Sequence, residues 1–144
     1  MPRNKHQSGM AGTFAVAAEL CRREYEVALT LGNSPHIDLL CASPSGVPFK
    51  IQVKAAASPT FVPIGRAWLE SPPNATLYLI TALIPADSAT TPFRFFIISH
   101  AEAVALWAAV PKLKKNGEPY KAGWEGFAWP ALMSHENAWT KLPQ

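Results

Sequence analysis

Cysteine is scarce in this chain, with Cys21 and Cys41 the only two among 144 residues. They lie far apart and match no CxxC or zinc-ligand spacing, which excludes a disulfide framework and the common structural zinc sites. Both are expected to be reduced thiols in the core, and they point to a cytoplasmic location. Charge is also sparse: 16% of residues are charged and the formal net charge is +3. That balance excludes a disordered, self-repelling chain. A long apolar run is missing as well, because the Ala-rich stretch near the N-terminus is broken by Glu19 and then Arg22-Arg23. Neither a membrane span nor a signal peptide is therefore expected. There is no Walker A loop, no nucleotide-binding Gly-rich fingerprint, no GxSxG and no internal repeat.

What is present is apolar: 49% of residues are hydrophobic and 10% aromatic, enough to bury one core, so residues 1–144 read as one domain. A pI of about 9.0 suits a polyanionic partner without demanding one. Residues 1–9 are polar and read as a loose arm. From Met10 to Glu24 the spacing of Phe14, Ala17, Ala18 and Cys21 predicts a helix with those residues on its apolar stripe. Tyr25 to Leu31 reads as a strand ended by Gly32-Asn33-Ser34-Pro35. His36–Ala42 and Phe49–Ala56 flank Ser43-Pro44-Ser45-Gly46 as a β-hairpin. Residues 57–75 are a proline-rich connection with room for a short helical turn. Thr76–Ile84 and Phe93–Ile98 are nearly continuous apolar runs, expected as neighbouring buried strands. Ser99 and Glu102 form a capping box for a helix from His100 to Val110. Residues 111–144, basic and then aromatic, form an extension without assigned structure. The order predicts an α/β fold, a mixed sheet flanked by helices.

The informative stretch is Ile37-Asp38-Leu39-Leu40, the turn, and Ile51-Gln52-Val53-Lys54. Strand alternation puts Lys50, Gln52 and Lys54 on one face and Phe49, Ile51 and Val53 on the other. If Leu39 and Cys41 are to meet the same core as Ile51 and Val53, Asp38 must share the Gln52 face. It then lies opposite Gln52 or opposite Lys54, through an odd-length loop centred on Ser45 or Gly46. A carboxylate, an amide oxygen and an ammonium on one patch suit phosphodiester hydrolysis. Oxygen ligands hold a hard divalent cation that activates water, and the ammonium stabilises charge developing on phosphate. On the alternative reading, Asp38 merely opens the strand and Gln52 and Lys54 form its solvated face.

Helix with Ala18-Glu19-Leu20, strand, Gly32-Asn33 loop, Ile37-Asp38-Leu39-Leu40, turn and Ile51-Gln52-Val53-Lys54: this succession resembles the core of the PD-(D/E)xK nuclease superfamily over about residues 9–57. Later elements match it only in order. The resemblance implies a restriction-endonuclease-like fold of α-β-β-β-α-β type. It also implies a Mg2+-dependent endonuclease, with Mn2+ as substitute, acting on DNA. Asp38 would be the metal ligand, Lys54 the motif lysine and Glu19 the first-helix acid. Gln52 stands where the family usually has Asp or Glu, as in a minority variant whose carbonyl oxygen still coordinates metal. The missing charge weakens that coordination and leaves an inactive, nucleic-acid- or protein-binding descendant as the alternative. Glu19 also projects near Arg23, at the spacing of a surface ion pair.

Lys112, Lys114 and Lys115, with Arg66 in the connection, are candidate phosphate-binding residues, or else a solvated loop. His36 and Asn33 are surface residues first. Trp68, Trp124, Trp129 and Trp139 are expected in the core or at an interface. His135 and Glu136 show no metal spacing with each other or with His100. Cleavage of both DNA strands would most simply use a two-fold homodimer, with a larger homo-oligomer also possible.

Overall fold

The computed structural model describes residues 3–30, 35–85 and 88–144. Helix α1 (Lys5–Arg22) starts earlier than the sequence pattern predicts. Asn4 accepts from the Gln7 amide while the Gln7 side chain accepts from the Asn4 amide, a capping box that starts the helix inside the expected loose arm. The buried stripe also differs from the predicted one. Gly12, Val16 and Leu20 face the core, whereas Phe14 is 51% exposed and Cys21 is exposed. The small Ala side chains carry no strong apolar signal, so a run of them leaves the facing side ambiguous until α1 meets the sheet. At Gly12 an added Cβ would lie 2.9 Å from the Ala55 Cβ, and this close approach seats α1 on the third strand.

The main sheet has five strands in the order β1-β2-β3-β5-β6: β1 (Glu26–Leu29), β2 (Leu39–Ala42), β3 (Pro48–Ala56), β5 (Leu77–Leu83) and β6 (Arg94–Ser99). β3 and β5 are parallel and the other pairs antiparallel. A parallel pair cannot be joined by a tight turn. The connection between them carries β4 (Phe61–Pro63) and α2 (Arg66–Leu69), more structure than the single helical turn expected there. β5 and β6 are adjacent, as their apolar runs predict, and every residue of β5 is buried. Leu31 and the expected Gly32-Asn33 loop lie outside the described residues.

Each face of the sheet carries its own apolar cluster. Val16 and Leu20 of α1 pack with Leu39, Phe49, Ile51 and Ile80 on one side. On the other, Trp68, Leu79, Phe96, Phe127, Trp129 and Leu132 gather beneath α2 and α3 (His100–Ala108). The predicted Ser99–Glu102 capping box opens α3, with Glu102 N to Ser99 Oγ at 3.1 Å and Ser99 N to Glu102 Oε1 at 3.0 Å.

Part of the unassigned extension is built into this second layer. β7 (Gly126–Ala128) pairs antiparallel with β4, and 3-10 turns follow at Trp129–His135 and Trp139–Lys141. Lys141 donates to Glu102 and, at 2.7 Å, to His135 Nδ1, while Arg94 and Glu136 pair at 2.7 Å. Burial pushes the Glu102 carboxyl up, but donors from Lys141 and Ser99 outweigh it and hold the group below its ordinary value. The β4–β7 pair leaves no space at Gly126, where a Cβ would lie 1.9 Å from the Val62 carbonyl oxygen. Gly126→Ala is therefore expected to lower stability by about 1–3 kcal/mol, the usual range for overpacking. A urea melt checks this, and an unchanged midpoint would refute the tight pairing.

Candidate functional site

The hairpin register is the one that sets Asp38 opposite Gln52. Leu39 pairs with Ile51 and Leu40 with Lys50, across a loop centred on Ser45 and closed by Ser43 N to Val47 O at 2.9 Å. Asp38 lies just before β2, its amide donating to the Ile51 carbonyl at 2.9 Å. Its side chain turns back along the ladder, where Oδ2 accepts from the Val53 amide at 2.7 Å and from Gln52 Nε2 at 3.0 Å. Asp38 thus continues the β2–β3 pairing after the β2 backbone has left it. It also binds the side chain of the strand position opposite.

Gln52 does not lie on a solvated face. It is buried at 8% exposure, and its Oε1 is a buried acceptor with no hydrogen-bond partner among the described residues. An unpaired buried acceptor costs free energy, so it is a place to look for a ligand. Oδ1 of Asp38 accepts no hydrogen bond within the described residues, since both bonds to the carboxylate end on Oδ2. Rotation of the Gln52 carboxamide by half a turn exchanges Nε2 and Oε1. The same side chain can therefore donate to Asp38 when no cation is near and offer oxygen when one is.

Lys54, two positions further along β3, is half-buried and registered with Thr81 on β5. Burial pushes its ammonium below the ordinary lysine value; Asp38 opposes the shift and Lys5 adds to it. It lines a cleft of about 760 Å³ between the N-terminal end of α1 and the β4–β7 pair. The other groups there include Arg3, Lys5, Thr81, Gly65 and Trp124. The wholly buried Thr81 hydroxyl has no partner among the described residues. Asp38 opens instead onto a neighbouring depression with His6, Met10, Phe14 and Leu29; Lys5, Gly9 and Val53 border both.

The structure does not bring Glu19 to this place. Its carboxylate pairs with Arg22 at 2.9 Å and with Arg23, whose guanidinium covers the Trp139 ring at 4.4 Å. Helical rise puts Glu19 about 15 Å along the axis from Gly9, where α1 passes the cleft. Glu19, expected beside Asp38 and Gln52, therefore does not join them in the folded chain. Among the described residues there is no group of three or more His, Cys, Asp or Glu that could hold a metal ion.

None of the four expected phosphate-binding residues lines the Lys54 cleft or the Asp38 depression. Arg66 pairs with Glu70 at 3.3 Å and lies 3.7 Å from Glu125. Lys112 sits over the Trp107 ring at 3.7 Å and donates to the Trp107 carbonyl at 3.0 Å. Lys114 and Lys115 are exposed on a turn that borders neither cavity. Arg3, Lys5, Thr81 and Trp124 were not singled out by sequence as binding residues. No local pattern marks them, because α1 and the extension reach β3 only in the folded chain. Trp68, Trp129 and Trp139 are core residues as expected, whereas Trp124 is 55% exposed. His36 is exposed, as a surface residue should be; Asn33 lies outside the described residues. Cys41 is buried, with its thiol pushed up to about 12 by burial and, secondarily, by Cys21.

Among the described residues no helix is long and apolar enough to cross a membrane. No family model, curated protein or solved structure matches the chain.

Proposed function

We propose that this chain is a metal-dependent nuclease of the PD-(D/E)xK type that hydrolyses DNA phosphodiester bonds at the end of the β2–β3 ladder where Asp38 lies. The observation that carries the reading is the meeting of Asp38 and Gln52 across the hairpin, with Lys54 next on the same strand face beside a cation-lined cleft. The donor set suits Mg2+ or Mn2+. Asp38 Oδ1 and Gln52 Oε1 are hard oxygens without partners among the described residues, and Mg2+ takes few protein ligands and completes its shell with water and substrate phosphate. When bound, the cation would polarise the scissile phosphate and lower the pKa of water.

The chain's own residues do the rest. Asp38 and Gln52 hold the oxygen ligands in place through the strand ladder. Lys54, its ammonium destabilised by burial, releases its proton more readily than an ordinary lysine and can take one from the attacking water. In its protonated state it can stabilise charge on the phosphate. Lys5 and Arg3 add positive potential along the entry.

A second reading, a nuclease-fold protein that binds nucleic acid without cutting it, is favoured by one observation. Among the described residues Asp38 is the sole carboxylate of the site, and one of its oxygens is already committed to Val53 and Gln52. Incubating the wild-type chain with single- and double-stranded DNA in Mg2+, in Mn2+ and in EDTA separates the two. Metal-dependent nicking is the expected result; binding without nicking in either metal would leave the second reading standing.

A further inference from the structure

Trp124 is an exposed aromatic held in place by its surroundings. Its amide donates to the Lys121 carbonyl at 3.2 Å, closing a turn through Gly123, whose φ of +91° places it in the left-handed region. The next residue anchors that turn. The Glu125 carbonyl accepts from the Ile64 and Gly65 amides at 2.8 and 3.0 Å, and Glu125 Oε2 accepts from Gly123 N at 3.1 Å. The Trp124 ring rests on Phe61, with centroids 5.9 Å apart. The indole is 55% exposed and, backed by Phe61 on an anchored turn, offers a flat apolar face held in place.

Its position limits what that is. Trp124 forms the ridge between the Lys54 cleft and a second depression bordered by Arg66, Tyr120 and Lys121. The described residues lining the Lys54 cleft include Arg3, Lys5 and Lys54 and no carboxylate. Arg3 is tied to the Ile84 carbonyl at 3.1 Å, so it contributes charge, while Lys5 is exposed. The buried Thr81 hydroxyl at the cleft wall lacks a partner among the described residues. A flat apolar face next to concentrated positive charge matches a nucleotide whose base is free to stack and whose phosphates lie alongside. A base-paired duplex hides its base faces and cannot use the indole.

We infer that the cleft takes single-stranded or unpaired nucleic acid, with one base stacked on Trp124 and the adjoining phosphates drawn towards Lys5 and Lys54. The inference rests on the nuclease-type reading for its polyanionic ligand and adds the strand state. Fluorescence anisotropy in EDTA, with a labelled DNA strand and its duplex, tests it on the wild type, Trp124→Ala and Trp124→Phe. The wild type should prefer the single strand. Trp124→Ala should weaken that binding by roughly 5- to 150-fold, the loss equivalent to one stacked base, with Trp124→Phe retaining most of it. Equal thermal melts of the three proteins would confine the change to binding. A preference for duplex, or an unchanged Trp124→Ala, overturns the inference, as does failure to bind either DNA. Nicking by the wild type in Mg2+, scored separately, reports on the nuclease reading. Strand binding through Trp124 without nicking would sink that reading alone, and duplex nicking indifferent to Trp124 would sink this one alone.

Discussion

Asp38→Asn is expected to reduce metal-dependent DNA hydrolysis to background while leaving the fold nearly intact, and the contrast with Asp38→Ala explains why. Asn keeps an oxygen that can accept from the Val53 amide, and rotation of the Gln52 carboxamide can restore a bond between the two side chains. It removes the only carboxylate that the described residues of this place would offer a divalent cation, and a hard cation held by two neutral amides would be held weakly. Ala removes the acceptor as well, leaving the Val53 N–H without a partner and Gln52 Nε2 with only its 3.5 Å bond to the Val53 carbonyl. The expected loss of stability is about 1–3 kcal/mol for Ala and much less for Asn. Calorimetric titration with Mn2+, chemical denaturation and a nicking assay on both variants check the three parts. A protein with full nicking activity as Asp38→Asn would show that Asp38 serves the sheet and not the chemistry.

Replacing Lys54 should separate activity from stability in the opposite sense. Lys54→Met is expected to lower hydrolysis by roughly 10²- to 10⁴-fold, the usual contribution of one positioned proton-transfer group. Its melting temperature should be unchanged or higher. The sign follows from the direction of the shift: the folded pKa lies below the unfolded lysine value, with burial as the main cause. Between the two values the unfolded chain binds more protons than the folded one, so stability rises with pH across that window. Below the folded pKa the full burden of the buried ammonium is present, and Met relieves it. If the neutral amine accepts the proton from water, the wild-type rate rises with pH up to that depressed pKa. Lys54→Arg keeps the charge, cannot release its proton in this range, and should be as inactive as Met. Activity retained in Lys54→Arg would assign Lys54 to electrostatic stabilisation instead.

These two residues belong to the part of the site that was legible before folding. A period of two, an apolar set that must face the core and a loop rich in Ser, Pro and Gly together place Asp38 opposite Gln52 or Lys54. The first register is the one adopted. The neighbouring β5 and β6 and the Ser99–Glu102 cap were legible for the same reason, since each rests on interactions a few residues apart or on an unbroken apolar run.

Elsewhere the local pattern was silent or misleading. Glu19 had the right residue type for a ligand but belongs to the far end of α1, paired with Arg22 and Arg23. Its phase depended on which side of an Ala-rich helix meets the sheet, and Gly12 against Ala55 settled that by close approach. Gln52 read equally well as solvent-facing until α2, α3 and the β4–β7 pair covered the second face of the sheet. The connection and the extension each carry one short strand, and neither shows itself because each is stable only against the other.

The sequence by itself therefore determined the α/β class, the hairpin and the chemical identity of the Asp38, Gln52 and Lys54 patch, because strand alternation and apolar burial act over a few residues. Only the tertiary structure decided which distant groups surround its Lys54 end, Asp38 opening onto the neighbouring depression. Packing of α1 on β3, and of β7 on β4, brought in Lys5, Arg3, Thr81 and Trp124 and left Glu19 out. Those encounters depend on shape complementarity between elements far apart in the chain, which no local periodicity encodes.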